Sequence, residues 1–366
     1  MAYAGAAGTT ATQMAAALHL GAGAGSIFDG QNALGQALGA RASAALSGDE
    51  MNAMLGAATA PSPADYQLEV VNSVWGERTY IWEQPFLDVM AKSYGTGVYL
   101  EDFITQPDPA RLAINAWVST ATDDKINNLL PAGSLDATTR MVLVNAIHLK
   151  LPWETVFPAT ATAPAQFTRA DASTVSASFM NETETLLYAD DGQAQVVALP
   201  LSGGQIDVLI ALPHGDLDAY EAGLAVGSAA LKVPSQEVQV TLALPRSTFT
   251  SPTFSLRSAL EAMGMTAPFD KEAANFSGLC AHPPDGGHLY VEDVLQKATL
   301  GVQETGVEAA AATAVIVGRA TSGSSMPPMP VSMVVNRPFV VSIVDVPTGA
   351  ILFLGHITDP TDAGSP

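Results

Sequence analysis

One stretch, from Glu304 to Pro330, limits what this chain can fold into more than any other. It separates two strand-like segments, and structureless loops become uncommon beyond about 12–15 residues. Its first half does not have the low hydrophobicity and high charge of a disordered tether, because residues 309–317 are all Ala, Thr, Val or Ile. Such residues suit a strand. With a period of two, one face of that strand would carry Val307, Ala309, Ala311, Thr313, Val315 and Val317. The other would carry Glu308, Ala310, Ala312, Ala314 and Ile316. Proline, which would interrupt a sheet ladder, does not occur before Pro327. The run can therefore enter the middle of a sheet. Composition leaves two other readings open: a helix, favoured by four consecutive alanines, and a flexible tether.

The whole chain has 366 residues, 48% of them hydrophobic, enough for a large core. Its 15 basic and 36 acidic residues give a net charge of −21, a field that repels nucleic acid and anionic lipid. Neither is an expected partner. Cys280 is the single cysteine, so no internal disulfide is available, and it is read as a small buried apolar residue. No apolar run reaches membrane-spanning length, and Met1 to Gly5 does not resemble a secretion signal.

Met1 to Thr59 is rich in Ala and Leu, with breaks at Gly21–Gly25 and at Gly39, and predicts several short helices. Tyr66 to Val74 predicts a strand, Gln84 to Ser93 a helix, and Asp108 to Leu130 two helical stretches. Arg140 to His148 predicts a buried strand. Strands dominate from Thr162, including 194–201, 205–212, 238–244, 331–335, 339–346 and 351–357, with one helix at 255–263. Helices leading and strands following predict an α+β fold with large antiparallel-rich sheets.

Several ordered motifs resemble the serpin family, the serine protease inhibitors. Glu304, Gly306, Val307, Glu308, Ala309, Ala310, Ala311, Ala312 and Thr313 are similar to its hinge. Asn336-Arg337-Pro338-Phe339 and Phe353-Leu354-Gly355-His356-Ile357 resemble its C-terminal signature. Asn115-Ala116-Trp117-Val118, and Val144-Asn145-Ala146-Ile147-His148 followed by Trp153, resemble its helix and central-strand motifs. The likeness runs over essentially the whole chain.

The resemblance implies one serpin domain over 1–366, with about eight or nine helices and a reactive-centre loop at about 305–335. It implies no enzyme activity and no cofactor or metal. The implied action is suicide inhibition: a serine protease cuts the loop and is acylated, and the loop then inserts as a strand and traps it. The family's spacing places the cut at Ala320–Thr321, which suits an elastase- or subtilisin-like protease. A one-residue shift gives Arg319–Ala320 and a trypsin-like one. The resemblance also implies that Glu304 pairs with Arg246 over Trp153, and that Asn145 and Gln296 stand in the gap which the loop enters. Gln296 occupies a position where many members have histidine. It further implies a monomer, with loop-sheet polymers on heating.

Members normally carry some fifty more residues before the point matching Met1. If an upstream signal precedes this sequence, an extracellular location is expected, and otherwise a cytoplasmic one. Low Lys and high Ala suggest a bacterial source. The alternative function is a non-inhibitory serpin acting as carrier, chaperone or structural protein, but the small residues at 307, 309, 311 and 313 favour the inhibitor. A hydrolase lacks its nucleophile elbow here, and His282 and His288 flank a turn rather than forming a metal site.

Overall fold

A computed structural model describes residues 1–21, 24–55, 61–226, 233–307 and 329–361. It is an α+β fold, as expected. Six α-helices occur among the described residues: α1 (Gly8–Ala17), α2 (Ala24–Met54), α3 (Gln84–Tyr94), α4 (Pro107–Ala121), α5 (Leu217–Val226) and α6 (Arg257–Ala262).

The central sheet has six strands: β1 (Gln67–Glu77), β2 (Val98–Glu101), β3 (Met141–Pro152), β9 (Ser247–Thr250), β12 (Thr299–Gln303) and β13 (Gly306–Val307), in the order β2-β1-β3-β13-β12-β9. A larger sheet contains β4 (Ala163–Thr168), β5 (Thr174–Asp190), β6 (Ala194–Pro200), β7 (Ile206–Pro213), β8 (Gln236–Pro245), β14 (Val331–Val334), β15 (Phe339–Asp345) and β16 (Ala350–Ile357). Its order is β14-β8-β5-β6-β7-β15-β16, with β4 beside β5. The short strands β10 (Phe254–Ser255) and β11 (Leu295–Gln296) form a separate pair. Most pairings are antiparallel; β1 with β2 and β14 with β8 run parallel.

Two helical expectations need correction. Residues 24–54 form one long helix rather than short ones. Gly30, Gly35, Gly39 and Gly48 each weaken it by about 1 kcal/mol relative to Ala. Tertiary packing offsets this: Leu34, Leu38, Ala42 and Ala45 form a stripe facing the main core. Arg41 also bonds the fully buried Asp345 at 2.7 Å. Secondly, the helix predicted toward Leu130 stops at Ala121. Asp123, Asp124 and Asn128 adopt positive φ there, which acidic and amide side chains tolerate better than most. Residues 122–130 become a strap, fixed to α4 by two 2.8 Å bonds between the Asn115 amide and the Leu130 backbone.

The main core lies between the inner face of the central sheet, the larger sheet and α2. β7 and β15 are buried along their whole length, as their uninterrupted apolar runs require. A second cluster, with Trp75, Ile114, Val118 and Val144, seats α4 on the outer face of the central sheet.

Candidate functional site

β12 and β13 form a hairpin with Glu304–Thr305 as its turn, so the hinge is built into the central sheet up to Val307. Val307 faces Val302 on one side and Leu151 on the other, and is 1% exposed. Gly306 lies between Gln303 and Pro152 with φ 154°. A Cβ there would stand 2.2 Å from the Leu151 carbonyl oxygen. The close approach of β3 therefore demands glycine.

Among the described residues, β3 and β12 are neighbours through β13 alone. Beyond Val307 the two strands flank a cavity of about 40 Å³, with Ile147, His148 and Leu149 on one wall and Thr299 and Leu300 on the other. Ile343, Leu352 and Phe353 floor it, and Thr122, Lys125 and Ile126 of the strap roof it. This is a slot in line with the strand that β13 begins.

The turn is held from below. Trp153, 3% exposed, donates its indole N–H to the Gln303 carbonyl at 2.7 Å and its backbone N–H to the Thr305 carbonyl at 3.1 Å. The Phe157 N–H donates to the Glu304 carbonyl at 2.9 Å, and its ring meets Trp153 edge-on. Glu304 accepts from Thr162 Oγ1 at 3.0 Å and lies 3.9 Å from Arg246. Arg246 is half exposed, so this ion pair contributes little, while the Thr162 bond is the shorter contact.

The structure thus brings Trp153, Glu304, Gly306, Val307 and Arg246 together. It does not join Asn145 to Gln296. The Asn145 amide donates to Asn72 Oδ1 at 2.9 Å on the neighbouring strand, and Gln296 stands opposite Phe254 in the small two-stranded pair, exposed. Glu308 to Thr313 and the three residues Arg319, Ala320 and Thr321 lie outside the described residues.

Sequence reading missed Thr162 and an acidic group beside Trp153. Glu182 and Glu184 line a small pocket together with Trp153, Thr155 and Phe157. Burial pushes the Glu184 carboxyl up, and Glu182 and Glu154 add to it against a hydrogen bond from Thr155. Nothing in their spacing marks them, since they alternate like any strand facing a core. Cys280 is buried, as read, and burial pushes its thiol up. Among the described residues no three His, Cys, Asp or Glu side chains are placed to hold a metal, and no helix is long and apolar enough to cross a membrane.

A family profile described as serpin (serine protease inhibitor) matches residues 1–360. The chain belongs to the serpin family. Human plasminogen activator inhibitor 2 is 32% identical over 319 residues, covering 84% of this chain and 74% of that relative. AtSerpin1 of Arabidopsis, in its native stressed conformation, superposes with a TM-score of 0.79 at 23% identity, covering 98% of this chain and 88% of that one. Thyroxine-binding globulin in complex with thyroxine gives 0.75 at 25% identity, covering 99% of this serpin and 88% of that chain. The chain is thus similar in sequence to a relative named as an inhibitor and in fold to one named for binding thyroxine.

Proposed function

We propose that this serpin is a suicide-type inhibitor of serine proteases, cut in its loop and trapping the acyl-enzyme by inserting that loop as a central strand. The observation that carries the reading is the slot that continues the line of β13 between β3 and β12. The hinge sequence fits it. Val307 already faces the core, and the alternation that begins there assigns Ala309, Ala311 and Thr313 to the same inward face. These residues are small and uncharged, so burial carries no desolvation penalty of a charged group. Extended, the 16 residues from Thr305 to Ala320 span roughly 50 Å. About ten new ladder bonds at ~0.5–1.5 kcal/mol each give about 5–15 kcal/mol, enough to compete with release of the acyl-enzyme.

The proposed cut is Ala320–Thr321, with an elastase- or subtilisin-like target, and Arg319–Ala320 with a trypsin-like target is the alternative. Incubation with elastase, subtilisin and trypsin, followed by denaturing electrophoresis and mass spectrometry of the loop, tests both claims. A covalent band with one protease and a cut after Ala320 are expected. Cleavage by every protease without a covalent band would overturn the inhibitor in favour of a carrier or structural serpin.

A further inference from the structure

The end of β3 has the hinge along one edge and the turn joining β6 to β7 along the other. Trp153 is the pivot. Its backbone N–H donates to the Thr305 carbonyl on the hinge side, and it pairs with Leu201 on the other. Three bonds keep that second edge closed. The Ser202 N–H donates to the Pro152 carbonyl at 2.9 Å, the Glu154 N–H donates to the Pro200 carbonyl at 2.9 Å, and the Gly203 N–H donates to Glu154 Oε2 at 3.1 Å. Pro152 is also the residue opposite Gly306. Whatever fixes the turn therefore fixes the strand end on which β13 rests.

α2 fixes the turn. Ser202, 5% exposed, donates its hydroxyl to Asp49 Oδ2 at 2.5 Å, across 153 positions of sequence. Four residues before Asp49, Ala45 backs Gly203, where φ is 86° and a Cβ would stand 3.0 Å from the Ala45 Cβ. The same Asp49 oxygen accepts a second hydroxyl, from Tyr66 at 2.5 Å, at the entry to β1. The two hydroxyls meet one carboxylate and lead to different places. Tyr66 leads to β1, which pairs with β3 but not with β13, whereas Ser202 leads to the strand end that holds the hinge.

We propose that Ser202 is a positioning residue for the hinge: anchored by Asp49, it keeps the end of β3 where Gly306 and Val307 stay paired, so that a strand is already begun when the loop is cut. This rests on the loop-insertion reading. A hydroxyl bound to a carboxylate makes a stronger bond than one between neutral groups. Without it the turn is free to move off Trp153, the first pairs of β13 fray, and the cut loop starts later in its race against hydrolysis of the acyl bond.

The test compares Ser202→Ala with Tyr66→Phe in the intact protein, each taking one hydroxyl from the same carboxylate. Hydrogen exchange of the Trp153 and Phe157 amides, which donate to the Thr305 and Glu304 carbonyls, is followed by mass spectrometry. About tenfold faster exchange is expected with Ser202→Ala, and the wild-type rate with Tyr66→Phe. Ser202→Thr, which keeps the hydroxyl, should restore slow exchange. The number of serpin molecules consumed per protease trapped should rise with Ser202→Ala and stay at the wild-type value with Tyr66→Phe. Equal quickening by both variants overturns the proposal, because Asp49 would then act only by seating α2. Unchanged exchange with Ser202→Ala overturns it as well, and so does faster exchange with no rise in serpin consumed. Failure of the loop-insertion reading looks different: wild type would leave no covalent band with any protease tried, while the exchange comparison would still decide where the hinge is held.

Discussion

The indole N–H of Trp153 donates to the main-chain carbonyl of Gln303 at 2.7 Å, 150 residues further along the chain. It ties the end of β3 to the last residue of β12 before the hinge turn. Trp153→Phe keeps a ring in place but strands that carbonyl in a buried setting. A loss of about 1–3 kcal/mol is expected in the uncut protein, read from its denaturant midpoint. A change below 0.5 kcal/mol, the ordinary surface scatter, would show that the bond holds nothing.

Gly306→Ala places a methyl group 2.2 Å from the Leu151 carbonyl oxygen. Either β3 yields or β13 leaves the sheet. The expected cost is about 1–3 kcal/mol, with Val307 becoming exposed. Exchange of the Leu151 and Gln303 amides, which face β13 from its two neighbours, should rise together if β13 is expelled, as measured by mass spectrometry.

Asp345 is fully buried and is reached by Arg41 across 304 positions of sequence. Desolvation pushes its carboxyl up, but hydrogen bonds from Arg41 and Thr348 outweigh that and hold it below the ordinary carboxylate range. A lowered folded-state pKa contributes stability above the unfolded value of about 3.9, and that stability is lost as pH falls through the folded value. Arg41→Ala removes the partner and should cost about 3–5 kcal/mol at neutral pH. Its melting-temperature deficit should shrink in strong acid, where wild type loses the same contribution. A deficit that stays constant down to pH 2 would contradict this assignment.

Glu184 works in the opposite sense. Its pKa is raised by burial and by Glu182 and Glu154. Its stabilising effect is therefore complete below the unfolded value of about 4.3 and fades as pH rises through the folded one. Glu184→Gln should melt higher than wild type at neutral pH, and the gap should close toward pH 4. Calorimetry at both ends of that range reads the difference, and a pH-independent gap would rule out the charge as its source.

The strand character expected from Val307 onward is met at Val307, the last described residue before the loop, and it was legible because the nine residues 309–317 that follow in the sequence carry no charge. The strands of the larger sheet were readable for a simpler reason, as β7 and β15 are continuous apolar runs between turn residues. α2 was misread because Gly39 looks like a break, while the stripe that overrides it shows its value only against the core. The strap was misread because its partners are remote. Thr253, Lys297 and Thr299 lie 124, 170 and 174 positions from their acceptors, and no local pattern encodes such pairs. The pairing of Gln296 with Phe254 was not legible for a related cause: the register of a two-residue strand follows from tertiary packing, which periodicity does not report.

The turn at Glu304–Thr305 leaves Gly306 and Val307 of the hinge already paired as a strand. Starting a new strand ordinarily requires two distant backbones to find each other, and that search dominates the rate of forming non-local sheet. Here the search is over at rest. Under the proposed insertion, growth from Val307 onward would be zippering from a nucleus already in register, each added residue meeting its partners in order, and a slip of one position, which would turn Ala309 outward and Ala310 inward, would be disfavoured from the first step.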